Sequence, residues 1–346
     1  MKKSPHLQQK QFFFRNDISA RIVQALREAG PDYVSGIDLA DRGGISRVAV
    51  WKRIQKLQEE GFAIASSKRK GYRLEREPEN ISALALLSYL PASMPLEGIW
   101  FTEESRSTNS DALELLARGE TTPFLSLTKK QTMGRGRMGR SWYSKSNGNL
   151  YLSAAFQPLC HPRKIQLLSL WCGIRLCRSL RQSTGLPIAI KWPNDLWIEG
   201  KKVAGILSEA TYESDRVNGL VLGIGLNINT QYQEFPKEIQ KTASSLYLSS
   251  DNRKYPLNRI AAEVAREVLS AYQDCMNGLN EDTLSDLWSE YACFLGETVQ
   301  IISPSNEIQV GKFTGIDRSG SLLLRTPSGK LLSFRSGDVS LRPRHL

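Results

Sequence analysis

Residues 134–140 read Gly-Arg-Gly-Arg-Met-Gly-Arg, which has the residue types and spacing of an anion-binding loop. The three glycines let backbone N–H groups approach a ligand closely, and Arg135, Arg137 and Arg140 supply fixed forks of donors. No Asp or Glu occurs in residues 121–194, so no carboxylate nearby in the sequence competes for these donors. The segment therefore predicts a site for an anionic ligand.

The same segment satisfies the dinucleotide pattern G-x-G-x-x-G. That fingerprint opens a helix and is followed about 20 residues later by an acid that holds the ribose. Here residues 140–149 have the composition of turns, and the next acidic residue is Asp195. A nicotinamide or flavin site is therefore disfavoured, and a basic surface loop without a ligand stays open as the alternative.

Further residues that could bind a ligand lie on either side of this loop. Ser107, Thr108 and Asn109 precede a short predicted helix, where they either cap it or hydrogen-bond a neutral ligand near the positive end of its dipole. Lys191 ends an otherwise apolar strand. It must reach solvent or pair with an anion, because a buried unpaired charge is costly.

Glycines inside predicted strands suggest that the backbone there comes close to another group. Gly205, Gly223 and Gly225 would weaken their strands without such an approach. Lys202 opens the strand that contains Gly205. Together with Lys191 and the loop arginines, these residues suit a nucleoside triphosphate or an acyl phosphate.

Upstream of these residues, apolar periodicity predicts helices over residues 18–29, about 35–42 and 47–59, with a glycine turn before the third helix and a hairpin after it. This order predicts a winged helix-turn-helix that binds DNA. Residues 46–74 contain eight Lys or Arg and two Glu, and a solvated basic surface is the alternative interpretation. The residues expected nearest the bases are Arg47, Trp51, Lys52 and Gln55, and those expected on phosphates are Lys68, Arg69 and Lys70.

The composition sets the remaining limits. A length of 346 residues favours two or three domains, and a net charge of +11 favours a polyanionic partner. The five cysteines form no C-x-x-C pair and the three histidines have no metal-ligand spacing, which favours reduced thiols and disfavours a histidine-rich metal site. No signal peptide or membrane span is predicted, so a cytoplasmic protein without a membrane partner is expected.

Four motifs in order identify a family: residues 134–142 (GRGRMGRSW), 191–196 (KWPNDL), 202–207 (KVAGIL) and 223–227 (GIGLN). They resemble the biotin protein ligases. With the preceding winged helix, the chain is similar to the bifunctional bacterial type that also represses biotin synthesis genes. The resemblance implies an α+β multidomain fold: a winged helix-turn-helix (18–77), a class II synthetase-like α/β ligase domain (78–294) and a small SH3-like β-barrel (295–346). Residues 1–17 form an extension with no assigned role.

The resemblance also implies the chemistry. Biotin and MgATP would form biotinyl-5'-AMP, and biotin would then pass to a lysine of the biotin carboxyl carrier protein of acetyl-CoA carboxylase. The adenylate-bound chain would form a homodimer that binds operator DNA. A biotin-sensing transcription factor without ligase activity and an enzyme related to lipoate or octanoate ligases are the alternatives.

Roles for individual residues follow from the same resemblance. Lys191 and Arg137 are expected to be catalytic, and Asp195 is expected to bind Mg²⁺. The expected biotin-binding residues are Ser107, Thr108, Asn109, Gln131, Arg135, Gly136, Arg137 and Lys191. The expected ATP- or adenylate-binding residues are Arg137, Arg140, Trp142, Lys202 and Asn227.

Overall fold

The computed structural model describes residues 10–302, 307–335 and 340–343. These residues form an N-terminal helical unit with a hairpin, a central eight-stranded sheet with helices on both faces, and a C-terminal five-stranded sheet. Residues 1–9 of the expected extension, and residues 303–306, 336–339 and 344–346 of the expected C-terminal domain, lie outside the described residues. Within the described ranges, no helix has the length and apolar character needed to span a bilayer.

The N-terminal unit confirms the predicted winged helix-turn-helix. Its elements, with the strand that precedes them, are β1 (Gln11–Phe14), α1 (Ile18–Glu28), α2 (Gly36–Gly43), α3 (Arg47–Glu59), β2 (Ala63–Ser67) and β3 (Gly71–Arg76). The Ser46 side chain accepts a hydrogen bond from Ala49 N and caps α3, and Gly44 ends α2 with a left-handed φ of 64°. Strands β2 and β3 pair antiparallel as the wing.

Burial on α3 follows the helical period. Val50, Ile54 and Leu57 are buried, whereas Arg47 and Trp51 are exposed on the opposite side. The basic and aromatic face predicted from the sequence is therefore the outer face of this helix.

The central sheet contains β1 and seven later strands. The elements of this part of the chain are α4 (Ala83–Tyr89), β4 (Gly98–Ser105), α5 (Thr108–Ala117), β5 (Phe124–Gln131), β6 (Leu150–Phe156), α6 (Leu168–Thr184), β7 (Ala189–Lys191), β8 (Asp195–Ile198), β9 (Lys201–Glu213), β10 (Arg216–Leu226), α7 (Leu257–Asn277) and α8 (Glu281–Tyr291). The strand order is β1-β4-β5-β6-β10-β9-β8-β7. Strands β4 and β5 run parallel, and the other neighbours are antiparallel.

Helices cover both faces of this sheet because successive side chains of a strand point in opposite directions. On β6, Ala155 packs with Ala112 and Leu115 of α5. The next residue, Phe156, stacks on Tyr272 of α7 with ring centroids 3.9 Å apart. The sheet is thus a middle layer between α5 on one face and α7 on the other.

The N-terminal extension contributes a strand to this sheet, a role that the sequence did not reveal. Strand β1 pairs antiparallel with β4, and Phe13 lies opposite Ile99. A Cβ added to Gly98 would lie 2.3 Å from Phe13 O, so glycine is what permits this approach. Residues 11–14 therefore belong structurally with the central sheet rather than with a separate extension.

The C-terminal unit is an antiparallel sheet with the order β14-β13-β12-β11-β15. Its strands are β11 (Thr298–Ile302), β12 (Ile308–Ile316), β13 (Leu322–Arg325), β14 (Leu331–Phe334) and β15 (Ser340–Pro343). Phe313 of β12 is buried edge-on against Trp288 of α8, with ring centroids 5.8 Å apart. Trp192 Nε1 donates to Gly320 O at 3.1 Å, which joins this unit to the segment that follows Lys191.

Candidate functional site

One open cleft brings most of the expected site residues together. It is open to solvent and lies beside strands β9 and β10. The expected residues that line it are Ser107, Thr108, Asn109, Gln131, Arg135, Gly136, Arg137, Arg140, Trp142, Lys191, Asp195 and Lys202. Gly205, Gly223 and Gly225 complete its lining, so the strand glycines do mark a close approach of side chains and backbone.

The start of α5 forms the polar end of this cleft. Ser107 is the residue before the helix, yet its side chain makes no capping hydrogen bond. Ser153 Oγ lies 2.7 Å from Thr108 Oγ1 and 2.6 Å from Asn109 Oδ1, and its single proton can be donated to either oxygen. A Cβ on Gly223 would lie 2.0 Å from Asn109 Oδ1, so that glycine makes room for the amide. The result is a fixed set of hydroxyl and amide groups that suits a neutral polar ligand.

Gln131 fixes this end of the cleft from a neighbouring strand. Its Oε1 accepts from Thr108 N at 2.8 Å, and its Nε2 donates to Ser144 Oγ at 2.9 Å. Both ends of the side-chain amide are therefore engaged within the protein. The geometry suits Gln131 to holding the start of α5 in place as well as lining the cleft.

The glycine and arginine loop closes on itself over the cleft. Gly136 N donates to Arg140 O at 2.7 Å, and Arg140 N donates to Arg137 O at 3.2 Å. Met138 adopts a left-handed conformation with φ of 56° and is exposed. The tight turn directs Arg135 to Glu209, with Nη2 and Oε1 3.2 Å apart, and Arg137 to Asn194 Oδ1, also at 3.2 Å.

The cleft is strongly cationic. Five cationic side chains and, within the described part of the chain, one carboxylate line it. Burial lowers the pKa of Arg137, the nearby Asp195 carboxylate opposes that shift, and the guanidinium stays charged because arginine starts above 12. Lys191 Nζ lies 4.0 Å from the ring centroid of Trp197, and Lys202 Nζ lies 2.7 Å from Asp195 Oδ1. Such a cleft can offset the charge of a polyanion.

An aromatic surface lies next to these cations. The Trp142 indole rests against Gly225 and Gly205, and Lys202 Nζ is 5.2 Å from its ring centroid. Its Nε1 is buried and has no hydrogen-bond partner in the described structure. The flat indole ring suits stacking with the base of a nucleotide, and the neighbouring lysine suits its phosphates.

The carboxylate of Asp195 determines how a metal ion would fit. Within the described ranges, no group of three or more His, Cys, Asp or Glu side chains is placed to hold a metal. Because Mg²⁺ keeps several waters and binds through one or two carboxylates plus substrate phosphates, one carboxylate beside a phosphate site is compatible with an ion that arrives with ATP. Asp195 would have to share its oxygens between that ion and Lys202.

Asn227 is the one expected nucleotide-binding residue outside the residues that line the cleft, and its contact with the nucleotide stays a prediction. Its Nδ2 donates to Ser244 O at 3.0 Å and its Oδ1 accepts from Asn149 Nδ2 at 3.4 Å, which buries the side chain. Sequence reasoning missed Ser153 and Glu209, which hold Asn109 in place. Ser153 had no signal beyond a hydroxyl in an apolar strand, and Glu209 stood only two residues after the KVAGIL motif.

The second candidate site is the outer surface of the winged helix-turn-helix. Seven expected DNA-binding residues are exposed, on α3 and at the tip of the β2–β3 hairpin: Arg47, Trp51, Lys52, Gln55, Lys68, Arg69 and Lys70. Trp51 is 48% exposed and Val48 is 64% exposed, so the outer face of α3 carries apolar and aromatic surface beside its cations. An exposed basic face with aromatic and apolar members suits contact with a DNA groove.

Comparison with known proteins agrees with each part of this arrangement. Family models match residues 19–73 (HTH domain), 102–227 (Biotin/lipoate A/B protein ligase family) and 294–342 (Biotin protein ligase C terminal domain). The bifunctional ligase/repressor BirA of Bacillus spizizenii is 33% identical over 94% of this chain and 99% of that protein. The Escherichia coli protein of the same name is 29% identical over 94% of this chain and 98% of its own length.

A solved structure is also similar. The biotin protein ligase of Aquifex aeolicus in complex with biotin and ATP superposes with a TM-score of 0.57 and 28% identity, covering 71% of this chain and 98% of that one. The sequence relatives span nearly the whole chain, including the winged helix-turn-helix, and the structural match supports the ligase fold. This chain therefore belongs to the biotin protein ligase family, in its bifunctional ligase/repressor group.

Proposed function

We propose that this protein activates biotin with ATP and transfers it to a lysine of biotin carboxyl carrier protein. The observation that carries this proposal is that a neutral polar pocket, five cationic side chains and Trp142 line the same cleft. Family membership supports the same activity. A polar pocket suits the uncharged ring system of biotin, and the cationic part suits its carboxylate and the phosphates.

The first step brings two anions together. A carboxylate oxygen of biotin attacks the α-phosphorus of ATP, and the bond to pyrophosphate breaks, giving biotinyl-5'-AMP. Lys191 and Arg137 are proposed to stabilise the negative charge that develops on the reacting oxygens. Ser107, Thr108 and Asn109 would orient biotin, with Gln131 and the Arg135–Gly136 backbone beside them.

Nucleotide contacts follow from the other end of the cleft. Trp142 is proposed to stack on adenine, while Arg140 and Lys202 contact phosphate oxygens. A Mg²⁺ ion bound with ATP would neutralise phosphate charge, with Asp195 as its protein ligand. In the second step the amine of the carrier lysine attacks the biotinyl carbonyl carbon, AMP leaves, and an amide is formed.

A ligation assay with biotin, MgATP and a carrier domain tests this assignment. We expect Lys191→Ala to lower kcat by about 100-fold or more, because the variant has no ammonium group to stabilise the charge of the transition state. Lys201→Ala is the matched control, since Lys201 is an exposed lysine on the next hairpin. If the Lys191→Ala protein kept full activity, the proposed catalytic role of Lys191 would be wrong.

Two alternatives are separated by simple measurements. A biotin sensor without enzyme activity would release no AMP when biotin, MgATP and carrier are combined, whereas the proposed ligase releases one AMP per biotin transferred. An enzyme related to lipoate ligases would bind lipoate or octanoate in preference to biotin in a calorimetric competition.

We also infer that the winged helix-turn-helix binds an operator and that the adenylate-bound chain does so as a homodimer. The exposed basic face of α3 and the wing supports DNA contact, and the bifunctional relatives support a repressor role. An electrophoretic mobility shift assay tests this inference. It uses DNA from upstream of the biotin synthesis genes of the same organism, with and without biotin and MgATP. Sedimentation of the protein with biotin and MgATP tests the dimer.

A further inference from the structure

A buried ion pair joins the N-terminal extension to the helix that begins the polar pocket. Lys10 Nζ lies 2.6 Å from Asp111 Oδ1, and the two side chains are 3% and 11% exposed. Because both groups are shielded from solvent, the attraction between their charges is little screened by salt. Lys10 immediately precedes β1, and Asp111 lies in the first turn of α5.

From Asp111 a chain of hydrogen bonds reaches the pocket. Ser105 Oγ donates to Asp111 Oδ2 at 2.5 Å and accepts from Ser107 N at 3.0 Å. Asp111 N donates to Ser107 O at 3.0 Å. Asp111 therefore holds Ser107 in two ways. Its backbone N–H binds Ser107 O, and its carboxylate binds Ser105 Oγ, which accepts from Ser107 N. These contacts fix the turn that presents Thr108 and Asn109.

The charge balance makes this arrangement depend on Lys10. Burial lowers the pKa of Lys10, while the neighbouring Asp111 carboxylate raises it. Arg118, whose charge also acts on Lys10, is itself paired with Glu114 at 2.8 Å. Without Lys10, the buried Asp111 carboxylate would lose the cation that pairs with it in the described part of the chain, and it would relieve this by moving toward water. That movement would disturb its hydrogen bond with Ser105 Oγ, which in turn accepts from Ser107 N.

The anchoring of Lys10 is built into the sheet. Lys10 is held next to α5 because β1 pairs with β4, the strand that ends at Ser105. Gly98 permits that pairing, and Phe12 packs on Trp100 with ring centroids 4.9 Å apart. One strand pair therefore sets the relative positions of Lys10 and Ser105.

We propose that Lys10 is a positioning residue for biotin binding, acting through Asp111 and Ser105 on the turn at Ser107. This inference rests on the proposed function, in which residues 107–109 hold biotin. Lys10 does not line the cleft, so its effect is on substrate affinity through the placement of other groups.

Steady-state ligation by the full-length protein tests the inference. Lys10→Met is expected to raise KM for biotin about tenfold, the loss that corresponds to one charge-assisted interaction. The KM for ATP and kcat should stay within about twofold, because the nucleotide end of the cleft is unchanged. Ser105→Ala breaks the next link without leaving an unpaired charge and is expected to raise the same KM. The biotin KM of the double variant should be no higher than that of the more affected single variant, because both substitutions interrupt the same chain of contacts.

Gln11→Ala is the matched control, because Gln11 is the next residue and is exposed. The inference is overturned if Lys10→Met and Ser105→Ala leave the biotin KM at the value of Gln11→Ala. It is also overturned if thermal stability falls while both substrate KM values and kcat change alike, which is the result of a purely structural role. If Lys10→Met fails to fold, Ser105→Ala alone decides. A wild-type protein that does not use biotin would instead refute the proposed function.

Discussion

The indole of Trp142 lies against the backbone of Gly225, and a Cβ on that glycine would be 2.4 Å from Trp142 Nε1. Gly225 pairs across the strands with Gly205, where a Cβ would lie 3.4 Å from Trp142 Cζ3. Two neighbouring glycines on adjacent strands therefore form a flat backbone surface against which the ring packs. The position of the proposed adenine platform is set by the absence of side chains at these two residues.

Gly225→Ala should displace Trp142 and weaken nucleotide binding. We expect KM for ATP to rise about tenfold, the lower part of the range for loss of one base–aromatic stack. The biotin KM should change little. Gly173→Ala is the control, because its added methyl would meet nothing closer than 3.7 Å. An unchanged ATP KM in Gly225→Ala would argue against stacking on Trp142.

Replacement of Asp195 separates a metal ligand from a residue that only orients Lys202. If Asp195 binds Mg²⁺, Asp195→Asn should raise the Mg²⁺ concentration for half-maximal adenylation about tenfold. Lys202→Ala should raise KM for ATP without that shift. Glu199→Gln controls for loss of a carboxylate, since Glu199 is exposed just after β8. If wild type and Asp195→Asn need the same Mg²⁺ concentration, Asp195 does not bind the ion and its role is limited to the ion pair with Lys202.

Local signals in the sequence predicted much of the fold. The bounds of α3 agree with the helix predicted over residues 47–59, because helical periodicity is readable from local sequence. The glycines at 205, 223 and 225 predicted a close approach, but not to which groups. Their partners, Asn109 and Trp142, come from distant parts of the chain.

Long-range pairing explains what the sequence did not reveal. Strand β1 is four residues long, and its partner β4 begins at Gly98, so no local pattern could connect them. The family resemblance implied that Asn227 lies near the nucleotide, and the structure shows that its amide donates to Ser244 O. The direction in which a side chain points at the end of a strand depends on the residues that pack around it. Those residues come from distant parts of the chain, so the local sequence does not reveal them.

The turn that contacts Trp192 should make stability sensitive to acid. Asp317 Oδ1 accepts from Ser319 N at 2.8 Å and Ser321 N at 3.0 Å, on either side of Gly320. Burial raises the pKa of Asp317, but these hydrogen bonds outweigh it and leave the pKa below its usual value. A carboxyl with a depressed folded pKa stabilises the fold above its unfolded pKa of about 3.9, and that contribution is lost as pH falls through the folded pKa.

Thermal unfolding of Asp317→Asn against wild type measures this contribution. We expect a lower Tm for the variant by a few degrees at about pH 7, and a difference that begins to shrink near about pH 4 and is lost as the pH falls through the lower folded pKa. Asp215→Asn serves as the control, because Asp215 is exposed. A Tm difference that is constant across the pH range would show that the charge of Asp317 does not stabilise the turn.

The wing should contribute to DNA affinity through its charged side chains. Lys68, Arg69 and Lys70 are exposed at the hairpin tip, so replacing all three with alanine should weaken binding to operator and unrelated DNA by similar factors. The dependence of log K on log salt should become shallower by about 0.9 for each DNA phosphate that the variant no longer neutralises. Gln55→Ala on α3 should instead reduce the preference for the operator, because Gln55 is expected at the base edges.

A charge-matched variant separates local contact from overall charge. Lys237, Lys241 and Lys254 are exposed on the central domain, and their triple alanine variant removes the same three charges. Electrophoretic or fluorescence titrations at several salt concentrations should show a nearly wild-type slope for it, because salt dependence reports charges that contact phosphate. Equal slopes for the two triple variants would mean that the net charge of +11, and not the wing, provides the attraction to DNA.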